Sequence, residues 1–115
     1  TLSEVASECD VALVPVDLTN PMAVGKAENR MVIFWRLGLP VVASASPANL
    51  RAASLTGFED QVLCSTVEDW RCTLENLYSQ PENRLTIASA GQTVALSNYS
   101  EESLAQRWDR LFESL

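Results

Sequence analysis

Histidine is absent from all 115 residues of this chain. That removes the side chain most often used as general base and metal ligand near neutral pH. No Ser-His-Asp or Cys-His site can therefore be assembled within it. Basic residues are scarce as well, 8 Lys and Arg against 15 Asp and Glu, which gives a net charge of −7. A field of that sign repels nucleic-acid backbones and anionic lipid, which argues against a nucleic-acid partner. No apolar run approaches the ~20 residues of a membrane-spanning helix, and no basic-then-apolar signal sequence opens the chain. Cysteine is limited to Cys9, Cys64 and Cys72, an odd number at spacings that match no metal or redox motif. Buried, reduced thiols are the expectation, as in a cytosolic protein.

The chain does hold a core's worth of apolar residues, 47% of the total with 20% charged, an ordinary globular balance that excludes disorder. Its length allows one domain at most. Along it, helical and strand patterns alternate. Residues 2–8 read as a short helix. Val11-Ala12-Leu13-Val14, closed by Pro15, reads as a strand buried on both faces, as in a parallel sheet. A long loop to residue 24 follows, with two prolines, Asp17, Thr19 and Asn20; long loops at this place tend to carry function. Residues 27–37 predict a largely buried helix stopped by Gly38. Val41-Val42-Ala43 predicts a second buried strand, residues 47–53 a short helix, and residues 61–64 a third strand. Three helices close the chain: one begun by Ser65-Thr66 with Glu68 and Asp69 in its first turn, one begun by Pro81, and one from residue 100 on Leu104, Trp108, Leu111, Phe112 and Leu115.

This order implies an α/β fold, an incomplete doubly wound (Rossmann-like) parallel sheet of three to four strands with C-terminal helices. An open parallel sheet normally has five or six strands, and the first residue is Thr1. The expectation is a part of a larger domain, with one sheet edge completed by sequence upstream.

Ligands of such sheets lie beyond the strand C-termini, where anions dock on helix N-termini. Residues 20–30 lead from strand one into the buried helix, and Lys26 and Arg30 put two cations near its start. The helix dipole disfavours positive charge there, so their placement points to a bound anion such as a diphosphate. Asn29 adds hydrogen-bonding capacity, and Gly25 permits close backbone approach. The plainer alternative is that Lys26 and Arg30 are solvated surface groups near Glu28. Ser44 and Ser46, after strand two, offer hydroxyls to a ligand or simply form a loop; Asp17 and Asn20 are further pocket candidates. Asp10 reads as a turn residue before strand one, and Trp35, Trp70 and Trp108 as packing residues.

The ordered set Cys9-Asp10-Val11-Ala12-Leu13-Val14-Pro15, Lys26 with Asn29-Arg30, and Trp35-Arg36-Leu37-Gly38-Leu39-Pro40-Val41-Val42-Ala43-Ser44 resembles the C-terminal, donor-binding domain of GT-B glycosyltransferases of the group 1, family 4 kind. The closing segment with Glu68-Asp69-Trp70, Tyr99-Ser100 and Trp108 is similar as well, so the resemblance spans essentially the whole chain. It implies a nucleotide-sugar donor as substrate, no cofactor and no bound metal, with Lys26 and Arg30 on the donor phosphates. Such cations stabilise a leaving diphosphate as charge develops. It also implies a separate N-terminal domain in the same protein, which would carry the acceptor site and any catalytic base; this chain alone is expected to be inactive. The compartment implied is the cytoplasm, with any membrane attachment left to that domain. Two positions depart from the family pattern: the acids that hold the donor ribose in many members fall here on Ile33 and Gly25. A degenerate domain of the same fold, acting as an interaction module, is the competing expectation. Another phospholigand-binding half-domain is a third.

Overall fold

A computed structural model describes residue 4 and residues 8–25 and 29–99 of the chain. The chain is α/β. Its centre is a parallel sheet of three strands, β1 (Ala12–Val14), β2 (Val41–Ser44) and β3 (Leu63–Cys64), in spatial order β1-β2-β3. The register pairs Ala12 with Val41 and Val14 with Ala43, then Ala43 with Leu63 and Ser44 with Cys64. Helices α1 (Pro21–Val24) and α2 (Asn29–Arg36) lie between β1 and β2, and α3 (Pro47–Ser54) and α4 (Glu59–Val62) between β2 and β3. The C-terminal helices α5 (Val67–Ser79) and α6 (Pro81–Asn98) follow. The expected helices over residues 2–8 and from residue 100 fall largely or wholly outside the described residues.

β2 is the central strand, and all four of its residues are buried. Val41 and Val42 lose all their exposure, each contributing roughly 1.5–3 kcal/mol relative to an exposed position. β1 is an edge strand and departs from the expectation of burial on both faces: Ala12 and Val14 are buried, but Leu13 is 50% exposed. Sheet residues alternate faces, so β1 is covered on one face only among the described residues.

α2 is less buried than the largely buried helix expected. Met31, Val32 and Trp35 face the core, whereas Arg30, Ile33 and Arg36 lie on an exposed face at helical spacing. It ends as its sequence predicts. Gly38 has φ +83°, its N–H donates to Trp35 O at 3.0 Å, and the Leu39 N–H donates to Phe34 O at 3.1 Å. This pairing satisfies two terminal carbonyls and turns the chain into β2. The most extensive helix–helix contact is between α2 and α6. At its centre Gly91 meets the Trp35 indole, which is 2% exposed.

The third strand is shorter than the sequence predicts. Residues 59–62 make a helical turn, and only Leu63 and Cys64 pair with β2. Glu59 and Asp60 occupy the first turn of α4, where carboxylates favour helical N–H groups, and a Gln61 N–H to Phe58 O bond of 2.9 Å closes it.

α5 starts on a reciprocal cap. Thr66 Oγ1 accepts from the Asp69 N–H at 3.1 Å, and the Asp69 carboxylate accepts from the Ser65 and Thr66 N–H groups at 2.9 and 3.1 Å. Those two amides hold the Asp69 carboxyl below its ordinary value. Because the folded value lies below the unfolded one, the cap's contribution is complete above about pH 5 and is lost as pH falls through the folded value. Thermal melts between pH 5 and pH 3 are therefore expected to fall less steeply for Asp69→Asn than for the parent chain. An equal slope would show that this carboxylate does not support α5.

Candidate functional site

Parallel pairing brings the ends of all three strands to one edge of the sheet, and three loops leave from it: residues 15–20, 45–46 and 65–66. The neighbours there are fixed by backbone bonds, among them Ala45 N–H to Cys64 O at 2.9 Å. This is the edge at which α/β sheets take ligands.

After β1, the loop folds on itself. Asp17 accepts from the Thr19 hydroxyl at 2.6 Å and from the Thr19 N–H at 3.0 Å, and its carbonyl accepts from the Asn20 N–H at 3.1 Å. The Thr19 hydroxyl and amide hold the Asp17 carboxyl below its ordinary value, so it is an anion at neutral pH. Asn20 caps α1, its Oδ1 accepting from the Met22 N–H at 3.0 Å. Gly25 follows α1 with φ −77°, an ordinary right-handed conformation, and is exposed. A Cβ built on it meets Pro21 O at 3.5 Å, an ordinary contact. Neither strain nor crowding at Gly25 therefore demands glycine.

Asn29 is the first residue of α2, and Arg30 is exposed one residue further on. Lys26 lies outside the described residues, as does the Asn29 side chain. Ile33 is 46% exposed on the same helix. Of the cationic pair read from the sequence, the structure thus fixes Arg30 alone, on the solvent side of the helix start.

Ser44 and Ser46 are at the end of β2 but face inward. They are 3% and 2% exposed, and Asn49 beside them is 3% exposed. Ser44 Oγ accepts from the Val16 N–H at 2.7 Å. Ser46 Oγ accepts from the Asn49 N–H at 3.3 Å as the cap of α3, and Asn49 Nδ2 donates to Ser44 O at 3.0 Å. Their oxygens are committed to backbone groups. The sequence carried a signal for this: Ser46 directly before Pro47 is the usual opening of a helix. Asn49 gave no such signal, since its burial is set by packing far along the chain.

The cysteines divide. Cys64 is buried, and burial pushes its thiol up. Cys9 and Cys72 are exposed, contrary to the expected burial, and none of the three is in a disulfide. Cys72 lies on the solvent face of α5, where a hydrogen bond to Glu68 raises its thiol value. That face also carries Arg71 between Glu68 and Glu75, exposed pairs of little energetic weight. Among the described residues no cluster of His, Cys, Asp or Glu could hold a metal ion, and no helix is long and apolar enough to cross a membrane.

A second concavity lies elsewhere. An open groove of about 630 Å³ runs between the Leu55–Phe58 turn and the stretch of α6 from Leu85 to Val94. α3 leaves the ligand edge of the sheet at Pro47, and its eight residues carry the chain about 12 Å to this turn. The groove therefore belongs to the opposite end of the sheet.

No protein-family model, curated protein or solved structure gives a significant match to the chain. The class defined by the fold is an α/β domain with a three-stranded parallel, Rossmann-like sheet, whose strand C-terminal edge is bordered by the residues 15–20 loop.

Proposed function

We propose that this chain is the donor-binding part of a glycosyltransferase and takes the diphosphate of a nucleotide sugar at the start of α2. The observation that carries the reading is the arrangement on one strand exit: β1 ends at the ligand edge, and the exposed turn at Gly25 and the exposed Arg30 follow it into the crossover helix α2. Backbone N–H groups at a helix start attract phosphate oxygens. Arg30 and Lys26 supply the positive charge that a chain of net charge −7 otherwise lacks. The transfer itself needs an acceptor and a base from another domain, so the chain's own contribution is binding and charge stabilisation.

Melting the chain with millimolar uridine, guanosine or adenosine diphosphate tests this. A ligand present at about 100 times its Kd stabilises by about 2.7 kcal/mol, a rise of several degrees. Lys26→Ala is expected to abolish the rise while leaving the ligand-free melt unchanged. No shift with any of the three would remove the donor reading.

A second reading is a domain of the same architecture that binds no donor and serves as an interaction module. It is favoured by the internal commitment of the polar groups at the ligand edge: Asp17, Asn20, Ser44 and Ser46 all hold the chain's own backbone. The exposed Ile33, where many donor-binding relatives of the resembled family place an acid, favours it too.

A further inference from the structure

The loop after β1 is shaped by short-range bonds within residues 17–22, none spanning more than three residues. Among the described residues, one hydrogen bond of residues 15–20 reaches a distant part of the chain. It is the Val16 N–H donating to Ser44 Oγ, across 28 positions. The local bonds give the loop its form; this bond fixes that form to the sheet. Ser44 is itself held, because its carbonyl accepts from Asn49 Nδ2 at 3.0 Å and from the Ser46 N–H at 2.9 Å. The Ser44, Ser46 and Asn49 side chains are nearly fully buried, and the Val16 bond is part-buried, which strengthens these bonds.

We infer that Ser44 is a positioning residue: its hydroxyl fastens the residues 15–20 loop over the ligand edge, and Asn49 fastens Ser44. It therefore acts on a ligand through the loop that carries Asp17 and Asn20, and does not touch the ligand itself. The clamp stands on geometry alone; its effect on binding rests on the donor-diphosphate reading.

Without the hydroxyl, the Val16 N–H loses its acceptor and the loop opens more often. A hydrogen bond of ordinary net strength corresponds to roughly a three- to tenfold change. In the ligand-free chain, Ser44→Ala is expected to speed amide exchange over residues 15–20 by about that factor, with β2 and α5 protected as before. Ser44→Thr, which keeps the acceptor in a strand-favouring side chain, restores slow exchange. If Ser44→Ala does not fold, Ser44→Cys replaces it, because sulfur is a weak acceptor of similar size. Unchanged exchange over residues 15–20 in the folded variant overturns the clamp, whatever the chain binds. A titration with uridine diphosphate then separates the two ideas. Loss of the clamp weakens binding about three- to tenfold, and Ser44→Thr recovers it. Equal affinity of the parent chain and Ser44→Ala overturns the positioning role. Absence of binding of uridine, guanosine and adenosine diphosphates alike in the parent chain overturns the donor reading and leaves the exchange result to decide the clamp.

Discussion

Trp35→Ala is expected to destabilise the chain by about 3–5 kcal/mol, the range for emptying a large aromatic from a closed core. The indole is 2% exposed, the largest of the fully buried side chains among the described residues, and packs in one cluster with Met31, Val41, Leu77 and Val94. It sits midway along α2, so it joins the sheet to α6 through the helix that leads away from the ligand edge. A domain of this size has roughly 5–15 kcal/mol in total, so the loss is about a fifth of the stability or more. At about 4 °C per kcal/mol the melting temperature falls by roughly 12–20 °C. Thermal or urea unfolding monitored by circular dichroism checks it. A loss below about 1 kcal/mol would mean that the α2–α6 contact does not hold the fold.

Gly91→Ala is expected to destabilise as well, against local propensity. In a helix interior alanine is better than glycine by about 1 kcal/mol, and Gly91 lies inside the 18-residue α6. Its added Cβ, however, falls 2.4 Å from Trp35 Cδ1, 2.6 Å from Nε1 and 2.8 Å from Cγ. A rigid ring bounded by packed neighbours cannot give by an ångström without moving them. Overpacking of this kind costs typically 1–3 kcal/mol, and three contacts this short put it at the upper end. The net loss expected is about 2 kcal/mol. The mechanism is tested by sign: in a Trp35→Leu background the ring is gone, and Gly91→Ala becomes neutral or stabilising. A double-mutant cycle without coupling would refute the close fit of Gly91 to Trp35.

Which parts of the fold were legible in the sequence follows from how local their causes are. Gly38, Thr66 with Asp69, and Pro81 act on their own turns of chain, and each ends or begins a helix as the sequence indicates. The two valine-rich runs became β1 and β2 because short apolar runs between turn residues pack as parallel strands. Features that depend on distant neighbours were hidden. Nothing near Gly91 in sequence names Trp35 as its partner, and nothing near Leu13 marks β1 as a strand exposed on one face. Residues 61–64 misled for a local reason: two acids ahead of Gln61 favoured a helical turn over a strand.

The candidate site was legible as a place and less so as a set of roles. The strand exit, the loop with Asp17 and Asn20, and the start of α2 with Arg30 lie where an alternating helix–strand order puts them. For Ser44 and Ser46 the sequence leaves both a ligand contact and a plain loop open, because residue type shows bonding capacity, not what already occupies it. In the folded chain that capacity is taken by Val16 and Asn49. Cys9 and Cys72 are exposed because each is a small residue on a surface turn or helix face, where an apolar character at one position does not compel burial.

Calorimetric titration of the parent chain with uridine diphosphate and uridine monophosphate, at low salt and again at high salt, tests the central claim most directly. The account predicts that a diphosphate binds more tightly than the corresponding monophosphate, that salt weakens it, and that Lys26→Ala and Arg30→Ala each reduce it by about tenfold or more. Equal binding of mono- and diphosphate, or no heat from guanosine and adenosine diphosphates as well, would contradict a phosphate site at the start of α2.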